Sequence, residues 1–196
     1  MGAAGRRQAI IDAALDEFSV RGFAATRLDD VAARAGVAKG TIYLHFKDKE
    51  SLFQELVRSS LVPLVSRLDV PASPQVSARG VLEAFADMFV REICGTRRGD
   101  IVRLIVSEGV RFPALAEFYY REVVARGIAG LRAVIEYGVA RGEISDVGLA
   151  RFPQIVVAPA MIALIWGGLF GKHAPLDASA MLRTHLDLIF SSGGPE

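Results

Sequence analysis

The stretch from Thr26 to Glu50 limits the fold more than any other part of the chain. Two short apolar patterns of helical period, Val31, Ala32 and Ala35 and then Ile42 and Phe46, stand on either side of Gly36-Val37. A glycine in that place ends a helix in left-handed geometry without a Cβ penalty, and an apolar residue after it packs back onto the cap. A sharp turn between two helices is therefore expected. The second helix, over residues 38–46, is shorter than the about 12–15 residues at which an isolated helix becomes marginal in water, so its neighbours must hold it. Ile42 and Phe46, four apart, provide one buried face, which leaves Lys39, Thr41, Tyr43 and His45 for the others.

The flanking sequence supplies those neighbours. Over residues 6–20, Ile10, Ile11, Ala14, Leu15 and Phe18 recur at helical spacing, opposite Gln8, Asp12, Asp16 and Glu17. Gly22 reads as a left-handed cap for this helix, followed by Phe23. Thr26-Arg27-Leu28-Asp29 has a capping-box-like form, with Asp29 and Asp30 placed against the positive end of the next helix. Downstream, residues 48–70 read as a longer helix joining two domains, kinked at Pro63, and Pro71-Ala72-Ser73-Pro74 closes it as a loop. Further helices are expected over 76–93, 100–110, 114–141, 147–168 and 178–190, and the tail over 191–196 is expected to fray. The fold class is all-α.

Composition excludes several alternatives. A 52% apolar content in 196 residues is ample for a core. Cys94 is the only cysteine, so neither an internal disulfide nor a structural zinc site is expected, and a reducing cytoplasm fits best. The first apolar stretch is broken at Asp12, Asp16 and Glu17, unlike the core of a signal peptide. Net charge is only +1, yet three of the four lysines, Lys39, Lys47 and Lys49, fall close together, a local basic footprint in a neutral total.

Helix, tight glycine turn and short second helix make a helix-turn-helix. The residues Ala35-Gly36-Val37, Gly40-Thr41, Tyr43, His45-Phe46, Lys49-Glu50 and Leu52 together resemble the AGVxxGTxYxHFxxKExL pattern of the TetR family of transcriptional regulators. The resemblance implies an N-terminal three-helix DNA-binding domain, residues 1–50, and a C-terminal helical ligand-binding and dimerisation domain, residues 51–196. It implies a non-enzymatic regulator that leaves a palindromic operator when a small molecule binds. Leu44 departs from the pattern, since relatives often carry a second aromatic there.

A recognition helix presents its N-terminal residues to base edges and its flanks to phosphates. Lys39 is placed to reach a guanine edge or a phosphate, and Gly40 lets backbone approach the duplex. Thr41, Tyr43 and His45 offer donors to phosphate oxygens, with Leu44 on the same face, and Lys49 adds a charge. Thr26 reads as an N-cap and a phosphate site at a helix start, with Arg27 beside it. Double-stranded operator DNA is the expected partner.

In the C-terminal half, Phe85, Met88, Phe89, Phe112, Phe118, Tyr119, Tyr137, Met161, Trp166 and Phe170 offer an apolar lining, with Arg103, Glu108 and His173 as polar groups that would orient a ligand. The expected effector is a small apolar or amphipathic molecule of unknown identity; no cofactor or metal is expected. The resemblance implies a homodimer through the last two helices, 147–168 and 178–190. Met181, Leu182, Leu186 and Ile189 form one stripe there, and Ala158, Ala160, Ala163 and Gly167 permit close packing. Residues 152–171 carry no charge until Lys172 and are long enough for a membrane span, but Pro153, Gln154 and Pro159 interrupt them, and burial in a helical assembly is the preferred reading. Gly167-Gly168-Leu169-Phe170-Gly171-Lys172 superficially resembles a phosphate loop. It lacks a glycine at Trp166, Ser or Thr at His173 and a preceding strand, so an enzyme has little support.

Overall fold

In the computed structural model the described residues are all except Met1, Pro71, Ala72, Pro74, Asp146, Val147 and 192–196. Most of the expected Pro-rich loop, the first residue of the expected helix 147–168 and nearly all of the tail thus lie outside them. Among the described residues every regular element is helical, as the periodicity predicts. The chain divides into two compact units, Met1–Pro63 with Asp100–Glu122, and Leu64–Gly99 with Val123–Glu196.

The first unit opens with α1 (Ala3–Ala25), α2 (Leu28–Arg34), α3 (Lys39–His45) and α4 (Lys49–Ser60). Phe18, Phe23 and Phe53 form its centre, with ring centroids 5.4–6.1 Å apart. Ile10, Ile11, Val31, Leu52 and Leu56 are buried alongside. Glu17, only 3% exposed, accepts from Arg34 Nε at 2.6 Å and pairs with Arg21 at 3.0 Å, which ties α1 to the end of α2. The turn at Gly36 is the expected one: φ is +66°, and Val37 and Gly36 donate to the carbonyls of Ala32 and Ala33.

Gly22 differs from expectation. Its φ of 75° is positive, but ψ is 168°, so the backbone is not in the left-handed helical well, and helical structure resumes to Ala25. Side chains cap the carbonyls at this end instead: Thr26 Oγ1 donates to Gly22 O at 2.8 Å, and Lys49 Nζ donates to the carbonyls of Phe23 and Ala24, both at 2.9 Å. The N-cap of α2 is accordingly Arg27, not Thr26. The same unit takes in α7 (Arg97–Glu108) from residue 100 and α8 (Pro113–Tyr119), which packs on α4. Phe112 meets Phe23 edge-on at 5.0 Å, and Arg58 lies 4.8 Å over the Phe118 ring.

Prolines and bulges cut the longer expected helices. The expected helix 48–70 stops at Leu61 and restarts as α5 (Val62–Val65), because Pro63 has no N–H to donate and its ring clashes with the preceding turn. The 114–141 helix contains a π-helical turn, Tyr120–Val124, between α8 and α9 (Ala125–Ala140). The 147–168 helix is two: α10 (Gly148–Arg151) and α11 (Gln154–Leu169), parted at Phe152-Pro153.

In the second unit, α6 (Ala78–Glu92), α9, α11 and α12 (Ala178–Ser191) enclose a core that includes Ile135, Ile144 and Leu149, against which Ile189 and Phe190 pack. Leu182 and Leu186 are buried within the chain, as are Ala160 and Ala163. The stripe assigned from sequence to a partner therefore faces this chain's own α6 and α11. Pro159, inside α11, cannot donate to the carbonyl of Ile155 four residues earlier. His185 Nε2 fills that place from α12 at 2.9 Å, and since a carbonyl only accepts, Nε2 carries the proton.

Replacing Gly22 by Ala is expected to lower unfolding free energy by about 1–3 kcal/mol, measured by urea denaturation, because φ is unfavourable for any Cβ. The new Cβ would also stand 2.5 Å from Glu108 Oε1. His185→Leu is expected to cost about 1 kcal/mol by removing this interhelical hydrogen bond, and the loss should shrink in a Pro159→Ala background, where the helix supplies its own donor.

Candidate nucleic-acid interface

Recognition requires a rigid helix with one face buried and the other open, and α3 has that division. Ile42 and Phe46 are buried, while Tyr43 is 50% and Leu44 83% exposed. Lys39 and Gly40 are exposed at the head of the helix, with Thr41 and His45 at intermediate burial. Nothing lies within 4 Å of where a Cβ on Gly40 would stand, so that part of α3 faces open space. Arg7 stacks 5.5 Å over Phe46 and pairs with Glu55 at 2.8 Å, bracing the buried face.

The α3–α4 junction is held by a reciprocal cap. Asp48 accepts from Ser51 N–H at 2.7 Å, and Asp48 N–H donates to Ser51 Oγ at 3.2 Å. The Asp-x-x-Ser spacing carried this signal, though the sequence reading passed over it. A groove of about 700 Å³ lies beside α3, lined by residues 24–29, Tyr43 and residues 47–50.

Of the nine residues expected at DNA, eight stand at least partly open: Arg27, Lys39, Gly40, Thr41, Tyr43, Leu44, His45 and Lys49. Thr26 and Lys49 direct their donors to α1. Thr26 is 2% exposed and its hydroxyl is bonded to Gly22. Lys49, besides its two carbonyls, lies 4.7 Å over the Phe23 ring. For Lys49 the sequence cannot reveal this, because its acceptors belong to α1, some 25 residues away. Lys39 is also engaged, with Asp29 Oδ2 at 2.7 Å; the Asp29 hydrogen bond holds its ammonium above the ordinary lysine range.

The residues proposed for an effector lining divide between the units. Arg103, Glu108, Phe112, Phe118 and Tyr119 belong to the first, and Phe85, Met88, Phe89, Tyr137, Met161, Trp166, Phe170 and His173 to the second. Arg103 pairs with Asp100. Glu108 packs against Gly22, with Arg111 at 3.7 Å. Burial pushes the Tyr119 phenol up to about 12, so it stays neutral in any physiological medium. In the second unit Met88 and Phe89 are buried and Tyr137 donates to Val76 O at 2.8 Å. Trp166 meets Phe170 edge-on at 5.1 Å, both partly open to solvent. A separate cleft of about 270 Å³ between α6 and α12, lined by Glu83, Asp87, Arg183 and their neighbours, is absent from the sequence reading.

An apolar stripe along α11 stays uncovered: Ile155, Ala158, Ile162, Trp166 and Leu169 recur at spacings of three and four, and Leu188 of α12 is also exposed. No helix among the described residues is long and apolar enough to cross a membrane.

Comparison with known proteins agrees with this geometry. Residues 10–56 match the family profile described as bacterial regulatory proteins, tetR family, and residues 75–183 match a tetracyclin repressor-like C-terminal domain. The HTH-type transcriptional repressor KstR2 of Rhodococcus jostii (strain RHA1) is 28% identical over 174 residues, covering 84% of this chain and 81% of that protein. In fold, the chain is similar to FadR from Bacillus subtilis in complex with stearoyl-CoA, with a TM-score of 0.74 at 23% identity over 94% of this chain and 97% of that one. It is likewise similar to SmeT in its triclosan complex, with a TM-score of 0.77 at 18% identity over 95% and 90% of the two chains. The chain belongs to the tetR family of bacterial regulatory proteins, and is a helix-turn-helix transcriptional regulator.

Proposed function

We propose that this regulator is a repressor that binds a palindromic operator as a homodimer and releases it when an apolar or amphipathic small molecule binds its C-terminal domain. The observation that carries the DNA contact is the division of α3, with Ile42 and Phe46 buried and Tyr43 and Leu44 open. Lys39, Gly40, Thr41, Tyr43, Leu44 and His45 form the reading face, with Arg27 reaching phosphate from the start of α2. Thr26 and Lys49 serve that face from behind, by fixing the end of α1.

The dimer is supported by the uncovered stripe on α11. Ile162 is 53% and Leu169 64% exposed, a cost in water that a symmetric helical partner would remove. Ala180, Thr184 and Leu188, spaced by four on α12, continue the face with small or apolar side chains. DNA reading falls to residues 1–50 and effector binding and pairing to 51–196, with action in the cytoplasm. The effector class follows the aromatic and thioether side chains of that region and the two liganded structural neighbours, FadR in complex with stearoyl-CoA and SmeT in its triclosan complex. An effector acts only through its differential affinity for the DNA-binding and released states, and a coupling of about 1–3 kcal/mol is enough.

Selection of duplexes from a random-sequence pool by the purified protein is expected to return an inverted repeat; a site without symmetry would contradict the dimeric reading. Tyr43→Ala and Leu44→Ala are each expected to weaken the selected duplex about fivefold or more in fluorescence anisotropy, with far-UV circular dichroism unchanged. Ile162→Asp combined with Leu169→Asp is expected to halve the mass seen by light scattering. It should also red-shift emission from Trp166, the only tryptophan, whereas an unchanged mass would place the interface elsewhere. Long-chain acyl thioesters and apolar phenols, added to the bound duplex, are expected to include at least one compound that releases it.

A further inference from the structure

The first turn of α2 carries two adjacent carboxylates with different partners. Asp30 is held by Arg21 at 3.0 Å. Asp29 Oδ2 accepts from Lys39 Nζ at 2.7 Å, across the turn of the motif, with the two side chains 48% and 68% exposed. Lys39 is the first residue of α3; Ala38 before it provides no side-chain cap, and no acidic residue stands in the first turn of α3. The negative charge beside the head of the recognition helix is therefore brought there by α2.

A free lysine swings among whatever phosphates lie in reach, and such contacts carry no sequence information. A lysine bonded to a neighbouring carboxylate behaves differently. A phosphate that approaches Lys39 also approaches Asp29, so the attraction of one charge is offset by the repulsion of the other on every sequence alike. Hydrogen bonding survives that cancellation, because it acts at short range. The ammonium has three donors, of which Asp29 takes one, and two remain for the paired O6 and N7 acceptors of a guanine.

We infer that Asp29 is a specificity-determining residue of this regulator, which by holding Lys39 withdraws that cation from indiscriminate phosphate binding and positions it for a base edge. The inference deepens the DNA-binding reading above and rests on it. Asp29 acts through Lys39 and needs no contact with the duplex of its own.

The test compares full-length wild type, Asp29→Asn, Lys39→Met and the double variant. Each is titrated by anisotropy against a duplex that the wild type has selected from a random pool, and against a scrambled duplex of equal length, at several salt concentrations. Asp29→Asn is expected to bind the scrambled duplex more tightly and to lower the selected-to-scrambled affinity ratio by roughly threefold or more, in keeping with an exposed pair. Its log K against log salt on the scrambled duplex should steepen by about 0.9 for each Lys39 released. In the Lys39→Met background the same substitution should leave the ratio unmoved. An unchanged ratio in Asp29→Asn, an equal gain on both duplexes, or a change that persists without Lys39 would each overturn the inference while leaving DNA binding intact. A wild type that selects no duplex would remove the underlying reading as well. Far-UV circular dichroism on all four proteins excludes loss of fold as the cause.

Discussion

Burial of Ile42 and Phe46 is the interaction on which the rest of the site depends. A seven-residue helix has too few hydrogen bonds to offset its own ordering, so α3 exists only because these two side chains dock into the unit centred on Phe18, Phe23 and Phe53. Docking one face decides the other. With residues 42 and 46 inward, helical geometry turns 43 and 44 outward, which is where the structure has them. Leu44, 83% exposed, stands on that outward face beside Tyr43.

Much of this was legible in the sequence because it is local. The spacing of apolar residues, Gly36 with Val37 behind it, and the run from Ala35 to Leu52 all report through neighbours within a turn or two, and the Gly36 cap forms with the hydrogen bonds that such a cap requires. Misreadings arose where a polar side chain turns back to α1 for its partner. Thr26 looks like a cap for the helix after it but bonds the helix before it, and Lys49 looks like a phosphate contact but donates to carbonyls of α1. Lys39, read as placed to reach a guanine edge or a phosphate, is in addition bonded to Asp29. In each case the residue type was informative and the direction of its side chain was not.

The last two helices teach the same lesson in apolar terms. Leu182 and Leu186 make a stripe, but a stripe on one helix does not say which surface it meets, and here it meets α6 and α11 of its own chain. The uncovered face is instead the row from Ile155 to Leu169. It was hard to see from sequence because α11 is apolar all round, so its pattern has no polar side by contrast with which a contact face stands out. Pro159 adds a local defect to that helix, and His185 repairs it across the α11–α12 packing, which joins the two helices that the proposed dimer needs to present together.

The most direct measurement of the central claim places a thiol-reactive photo-crosslinker on α3, in a Leu44→Cys protein whose Cys94 is replaced by Ser, bound to a duplex that the protein has selected. A recognition helix in each protomer of a symmetric pair should crosslink at two points roughly 34–36 Å apart along one face of the DNA, or a multiple of that spacing. A Val106→Cys control, exposed on α7, should not crosslink. Efficient crosslinking from position 106 with none from position 44 would contradict the account, since α3 would then not be the element that enters the groove.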